Sequence, residues 1–216
     1  MKEIIITYLL GYFIIFLLYG IYMGLGFKNV DSFLQGHLVL VIIIFYLLTS
    51  IYLYLKNRRE ESKIGKKEIF PCVYFGISFA VLFNMIIFYF FGESKGDNIS
   101  FLLSFISSGI VGPIYEEILF RYLFYNRLKN RFSVKKSIFI GSIVFGIIHF
   151  HVIKSIYAFI FGIFLSFFYE RKKNILVPII IHVSANSIVL FLNGFCLPVF
   201  ILSIVNFIIS YYLILR

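Results

Sequence analysis

The sequence predicts an all-α, polytopic membrane helix bundle of about eight transmembrane helices. Three observations carry that expectation. The 216 residues are 61% hydrophobic and only 14% charged, against about 25% charged in an average soluble chain. Mean hydropathy is +0.99, which excludes a water-soluble enzyme and a disordered chain alike. The apolar residues also fall in long runs punctuated by short Lys/Arg/Glu-rich segments, the pattern of successive membrane spans.

The runs cover approximately 4–25, 38–55, 69–91, 99–125, 137–153, 155–169, 175–192 and 195–215. The first has Lys2 before it but is longer than a signal-peptide core and lacks a small-residue cleavage site, so it reads as an uncleaved span. The second to fourth and the last two are each long enough to cross. The fifth and sixth are short and meet at a tight link, 151–155, so a re-entrant pair or a single bent element is an alternative to two crossings. Gly112-Pro113 should break or bend the fourth span. With no repeat and no appended soluble region, residues 1–216 read as one membrane domain.

Orientation follows from Lys and Arg, which mark the cytoplasmic side. Alternating loops place 16 of the 20 cations on one side, leaving Lys28, Lys95 and Lys154 opposite and Arg121 inside the fourth span. Both termini are therefore expected in the cytoplasm, in a multi-pass membrane protein. The net charge of +10 is a topology signal; no basic stripe within a recognisable module implies nucleic acid as a partner. Cys72 and Cys196 are expected near opposite faces, too far apart for a disulfide.

Polar residues at membrane depth are costly, so they single out a candidate site. Eight of ten acidic residues lie at span ends or in loops; Glu116 and Glu117 are adjacent within the fourth span. Arg121 lies one turn after Glu117 and can pair with it, while Glu116 is rotated about 100° away. His149 and His182 lie in the fifth and seventh spans, and Asn186 follows His182 by one turn. Counted from the nearest cytoplasmic cations at about 1.5 Å per residue, Glu116, His149 and His182 reach depths of roughly 16, 20 and 14 Å. His37 and His151 read as interfacial.

Carboxylate and imidazole in one shielded layer can activate water as a general base. A second His with an Asn could donate hydrogen bonds to the oxyanion formed when that water attacks a carbonyl, which implies amide hydrolysis. Two His and one Glu would also suit zinc, and the residues alone leave metal-dependent and metal-free chemistry open. No H-E-x-x-H helix and no Ser-His pairing with a nucleophile elbow is present.

Glu116-Glu117-x-x-x-Arg121, Phe145-x-x-x-His149 and His182-x-x-x-Asn186 together resemble the three signature motifs of the CPBP family, the CAAX prenyl proteases and bacteriocin-processing enzymes also called Abi. The resemblance covers about residues 108–190, with the motifs in order. It implies an intramembrane endopeptidase in which Glu116 and His149 activate water, and His182 and Asn186 stabilise the oxyanion. Glu117, Arg121 and Phe145 would support that site. A divalent metal such as zinc is the alternative; the metal-free form is preferred because a ligating His182 could not also be an oxyanion donor. Tyr122 departs from the small residue common after the motif arginine, and the chain lacks the longer decorations of eukaryotic prenyl proteases.

The implied partner is a hydrophobic or lipidated peptide met in the lipid bilayer. Two other readings use the same residues: a noncatalytic scaffold or immunity regulator, and a proton-coupled transporter. Against the transporter stands the absence of inverted repeats.

Overall fold

A computed structural model describes residues 32–92 and 100–216, with side chains from Leu38 onward, together with positions 6, 10, 13 and 17. The predicted first span otherwise lies outside the described residues, as do the side chain of His37 and the loop cations Lys2, Lys28 and Lys95. Seven helices occupy the predicted second to eighth spans: α1 Ser32–Lys56, α2 Lys66–Phe91, α3 Phe101–Lys129, α4 Val134–Ile147, α5 Val152–Lys172, α6 Leu176–Val189 and α7 Leu197–Leu215. No strand occurs among the described residues.

Among the described residues five helices (α1 from Leu38, α2, α3, α5 and α7) are long and apolar enough to cross a membrane. The 14-residue α4 and α6 extend only about 21 Å, short of the roughly 30 Å hydrocarbon core. A helix rising 21 Å from the basic segment before α4 ends within the membrane, so the short α4–α5 reversal delivers His149 at depth. The reversal occupies 148–151, earlier than the 151–155 link expected from sequence, because Lys154 is accommodated in the first turn of α5 instead of marking a loop. Phe150 at φ 49° makes the turn. Its amides remain bonded, His149 N–H to Gly146 O at 3.1 Å and Phe150 N–H to Ile147 O at 3.2 Å, as low-dielectric surroundings require.

Helix α3 is the core of the bundle. Every residue from Glu117 to Tyr125 is buried, the signature of a helix enclosed on all sides. On one flank Tyr46 of α1 stacks on Tyr115 at 4.2 Å and Tyr54 packs against Tyr122 at 5.1 Å. On the other side of the protein a column of rings joins α2, α5 and α7: Phe75, Phe79, Phe161, Phe168 and Phe207. Water is not the driving solvent between membrane helices, so close packing must hold them together. Small residues supply it. A Cβ at Gly76 would collide with the Ile181 carbonyl, fixing the α2–α6 contact, and one at Gly146 would lie 2.8 Å from Ser155 O, fixing the α4–α5 hairpin.

Gly112-Pro113 does not break α3. The helix instead widens into π geometry on both sides of the glutamate pair, over Phe105–Val111 and Ile118–Tyr125, with an α segment Gly112–Glu117 between. Gly112 N–H bonds to Ser107 O, five residues back. A Cβ at residue 112 would meet that same oxygen at 3.0 Å, so glycine suits the widened turn. The proline is absorbed by local widening, one of the routes by which membrane helices tolerate it.

Both cysteines are free. Cys196 N–H contacts Met85 Sδ at 3.3 Å, and Met85 lies about 20 Å along α2 from the buried Cys72.

Candidate active site

The two adjacent glutamates of α3 have opposite environments. Glu117 is fully buried. Its Oε1 accepts from Arg121 Nη1 at 2.6 Å and from His182 Nδ1 at 2.7 Å, while Oε2 has no partner. Arg121, one turn on, is 1% exposed and its Cζ lies 4.2 Å above the centre of the Phe145 ring. A buried guanidinium needs such a carboxylate, since an isolated charge in this medium would cost several kcal/mol. Glu116, by contrast, keeps its side chain 27% exposed, with Oε2 3.8 Å from His182 Nε2.

His182 therefore bridges the pair. A carboxylate oxygen only accepts, so the bond to Glu117 places a proton on Nδ1 and directs Nε2 toward Glu116. Phe145 and Phe161 hold the ring edge-on at 5.9 and 5.3 Å. His149 is half-buried and fixed in the same manner. Its Nδ1 lies 2.8 Å from Phe145 O, which likewise only accepts, leaving the Nε2 lone pair uncommitted. Phe145 is 1% exposed and 5.1 Å from the His149 ring, so one aromatic touches Arg121, His149 and His182 at once. Asn186 donates from Nδ2 to Ser108 O at 3.1 Å.

The structure thus joins Glu116, Glu117, Arg121, Phe145 and His182 into one connected cluster, with His149 on its α4 side and Asn186 on its α3–α6 seam. His151, at the α5 N-terminus, is exposed and stands apart. Three further residues shape the cluster. Phe161 packs on His182, and Gly162 makes room for its neighbours: a Cβ there would sit 3.2 to 3.3 Å from Phe145, Arg121 Nη2 and Ser142. Neither carries a signal among so many Phe and Gly residues. Ser187 bonds to Gly109 O at 3.3 Å; its place next to Asn186 is the sequence cue. Tyr122 is fully buried, and its hydroxyl accepts from Arg59 N–H at 2.9 Å, tying α3 to the loop after α1.

Among the described residues no three His, Cys, Asp or Glu side chains are grouped so as to hold a metal ion. Glu117 is committed to Arg121 and His182, and Glu116 and His182 form a pair rather than a triad.

Fold and site define a multi-pass membrane protein with a buried carboxylate–imidazole centre. Comparison with known families agrees: residues 98–188 match the family described as type II CAAX prenyl endopeptidase Rce1-like. Over this segment the chain is similar to the CPBP, or CAAX protease, family. It is also 35% identical over 91 residues to a Bacillus subtilis (strain 168) protein named "Putative membrane peptidase YdiL", a stretch covering 42% of this chain and 37% of that relative. No solved structure matches the chain. All the residues of the cluster lie inside 98–188.

Proposed function

We propose that the protein is an intramembrane endopeptidase that hydrolyses a peptide bond of a hydrophobic or lipidated substrate with a water activated by Glu116. The observation that carries this reading is the division between the two glutamates. Glu117 is buried and committed to Arg121 and His182, whereas Glu116 stays partly exposed beside an imidazole.

Glu116 takes the proton of the attacking water, and His149, whose Nε2 lone pair is free, shares that task or passes the proton to the leaving amine. An oxyanion donor needs a proton on His182 Nε2. With Nδ1–H committed to Glu117, His182 performs this role as an imidazolium, and Glu117 neutralises its charge. The ledger then closes: Glu116 and Glu117 balance Arg121 and His182. Asn186 has a second amide N–H left for the same oxyanion.

The helices that carry the cluster are apolar membrane segments, which favours substrates with an apolar or prenylated end. The test is cleavage by the full chain in lipid nanodiscs, read by mass spectrometry, against matched apolar, prenylated and polar peptides. Preferential cleavage of the first two is expected. Equal cleavage of polar peptides would overturn the substrate assignment, and cleavage of none would favour the noncatalytic scaffold or immunity regulator.

A further inference from the structure

The π segment before the glutamates leaves two carbonyls for which Pro113 cannot provide a donor. In the π register of Gly112, the amide of residue 113 would reach Ser108 O; in the α register it would reach Gly109 O. Proline supplies neither. Side chains of α6 approach both oxygens: Asn186 Nδ2 donates to Ser108 O at 3.1 Å and Ser187 Oγ to Gly109 O at 3.3 Å. Gly109 permits the approach, since a Cβ there would stand 3.2 Å from Ser187 Oγ.

We infer that Ser187 and Pro113 form a clasp in which α6 takes over the proline's missing backbone hydrogen bonds, and that Ser187 is thereby a positioning residue for Glu116. The clasp bond joins α3 at Gly109, one turn before the proline, to α6 at Ser187, beyond His182 on the same helix. It sets the spacing of the two helices where Glu116 Oε2 and His182 Nε2 stand 3.8 Å apart. Unpaired carbonyls in this medium are costly, so the clasp also disfavours relaxation of α3 to another register. A proline alone would leave the π segment unanchored, and a serine alone would have no free carbonyl to meet.

The catalytic consequence rests on the peptidase reading; the coupling between the two residues does not. The experiment is a double-mutant cycle of Ser187→Ala, Pro113→Ala and both together in the full chain. It is read by Tm, by hydrogen exchange over residues 105–117, and by kcat and KM for an apolar peptide. In the Pro113→Ala background the restored N–H replaces the lost donor. Ser187→Ala is therefore expected to speed exchange over 105–117 and lower kcat about fivefold with KM unchanged, and to change each by less than about twofold once Pro113 is Ala.

Equal effects of Ser187→Ala in both backgrounds, or none in either, would overturn the clasp. A rise in KM without loss of kcat would overturn the positioning role. If the wild type cleaves nothing, the peptidase reading falls, and Tm with exchange still decides the coupling.

Discussion

His182 Nδ1 lies 2.7 Å from Glu117 Oε1, and this single bond joins the long central helix α3 to the short helix α6 in the middle of the bundle. The same oxygen serves Arg121 at 2.6 Å. Glu117 is thus the anion that organises the cluster, and its neighbour Glu116 stays partly exposed beside it.

Replacing Glu117 by Gln should leave the Arg121 charge buried without its counter-ion. The expected loss is about 3 to 5 kcal/mol, the usual penalty for breaking a buried pair by removing one partner. Thermal unfolding in detergent measures it. A melting temperature within a degree of wild type would show that Arg121 finds another anion.

Gly76→Ala should separate α2 from α6, because its Cβ would fall on the Ile181 carbonyl, one residue from His182. Overpacking of this kind costs about 1 to 3 kcal/mol. Stability and turnover should fall together, in contrast to a change confined to the reacting groups. Unchanged turnover at reduced stability would show that the α2–α6 spacing does not reach the site.

Gly162→Ala acts on the opposite wall. The added methyl would press on Phe145 and Arg121 Nη2, and Phe145 touches both histidines. Turnover should drop by about an order of magnitude, since misplacement by about an ångström is costly in catalysis. His149 imidazole chemical shifts should move in parallel, and unperturbed shifts with normal turnover would contradict the packing argument.

In the loop after α1, burial raises the Glu61 carboxyl above its ordinary value of 4.5, partly offset by the hydrogen bond it accepts from Ile175 N–H. A carboxyl raised on folding binds its proton more tightly in the native state, so its contribution is complete below pH 4.5 and is lost as pH rises through the shifted value. Glu61→Gln should therefore gain in Tm relative to wild type between pH 4.5 and 7. A pH-independent difference would show that burial does not set the Glu61 titration.

Much of this site is legible in the sequence because a membrane makes polar residues expensive. Glu116, Glu117, Arg121, His149, His182 and Asn186 stand out against Ile, Leu and Phe, and helical spacing alone puts Arg121 beside Glu117. The bond from Glu117 to His182 was not legible, since it depends on how α6 is rotated against α3. That rotation is fixed by Gly76, Gly109 and Ser187, small residues whose partners lie far away in sequence. Gly112-Pro113 reads as a break or a bend; α3 runs on through it by widening into π geometry, and side chains of α6 meet carbonyls of that segment. The shortness of α4 and α6 was visible only in part, because apolar residues continue past their ends into turns such as 148–151.

The most direct test of the account is Glu116→Gln, which keeps the side chain's shape and removes the base. Cleavage of an apolar peptide in nanodiscs should fall at least about a hundredfold, with Tm close to that of wild type because Glu116 is partly exposed and meets His182 only at 3.8 Å. Cleavage retained within a few fold at equal Tm would contradict the assignment of Glu116 as the group that activates water.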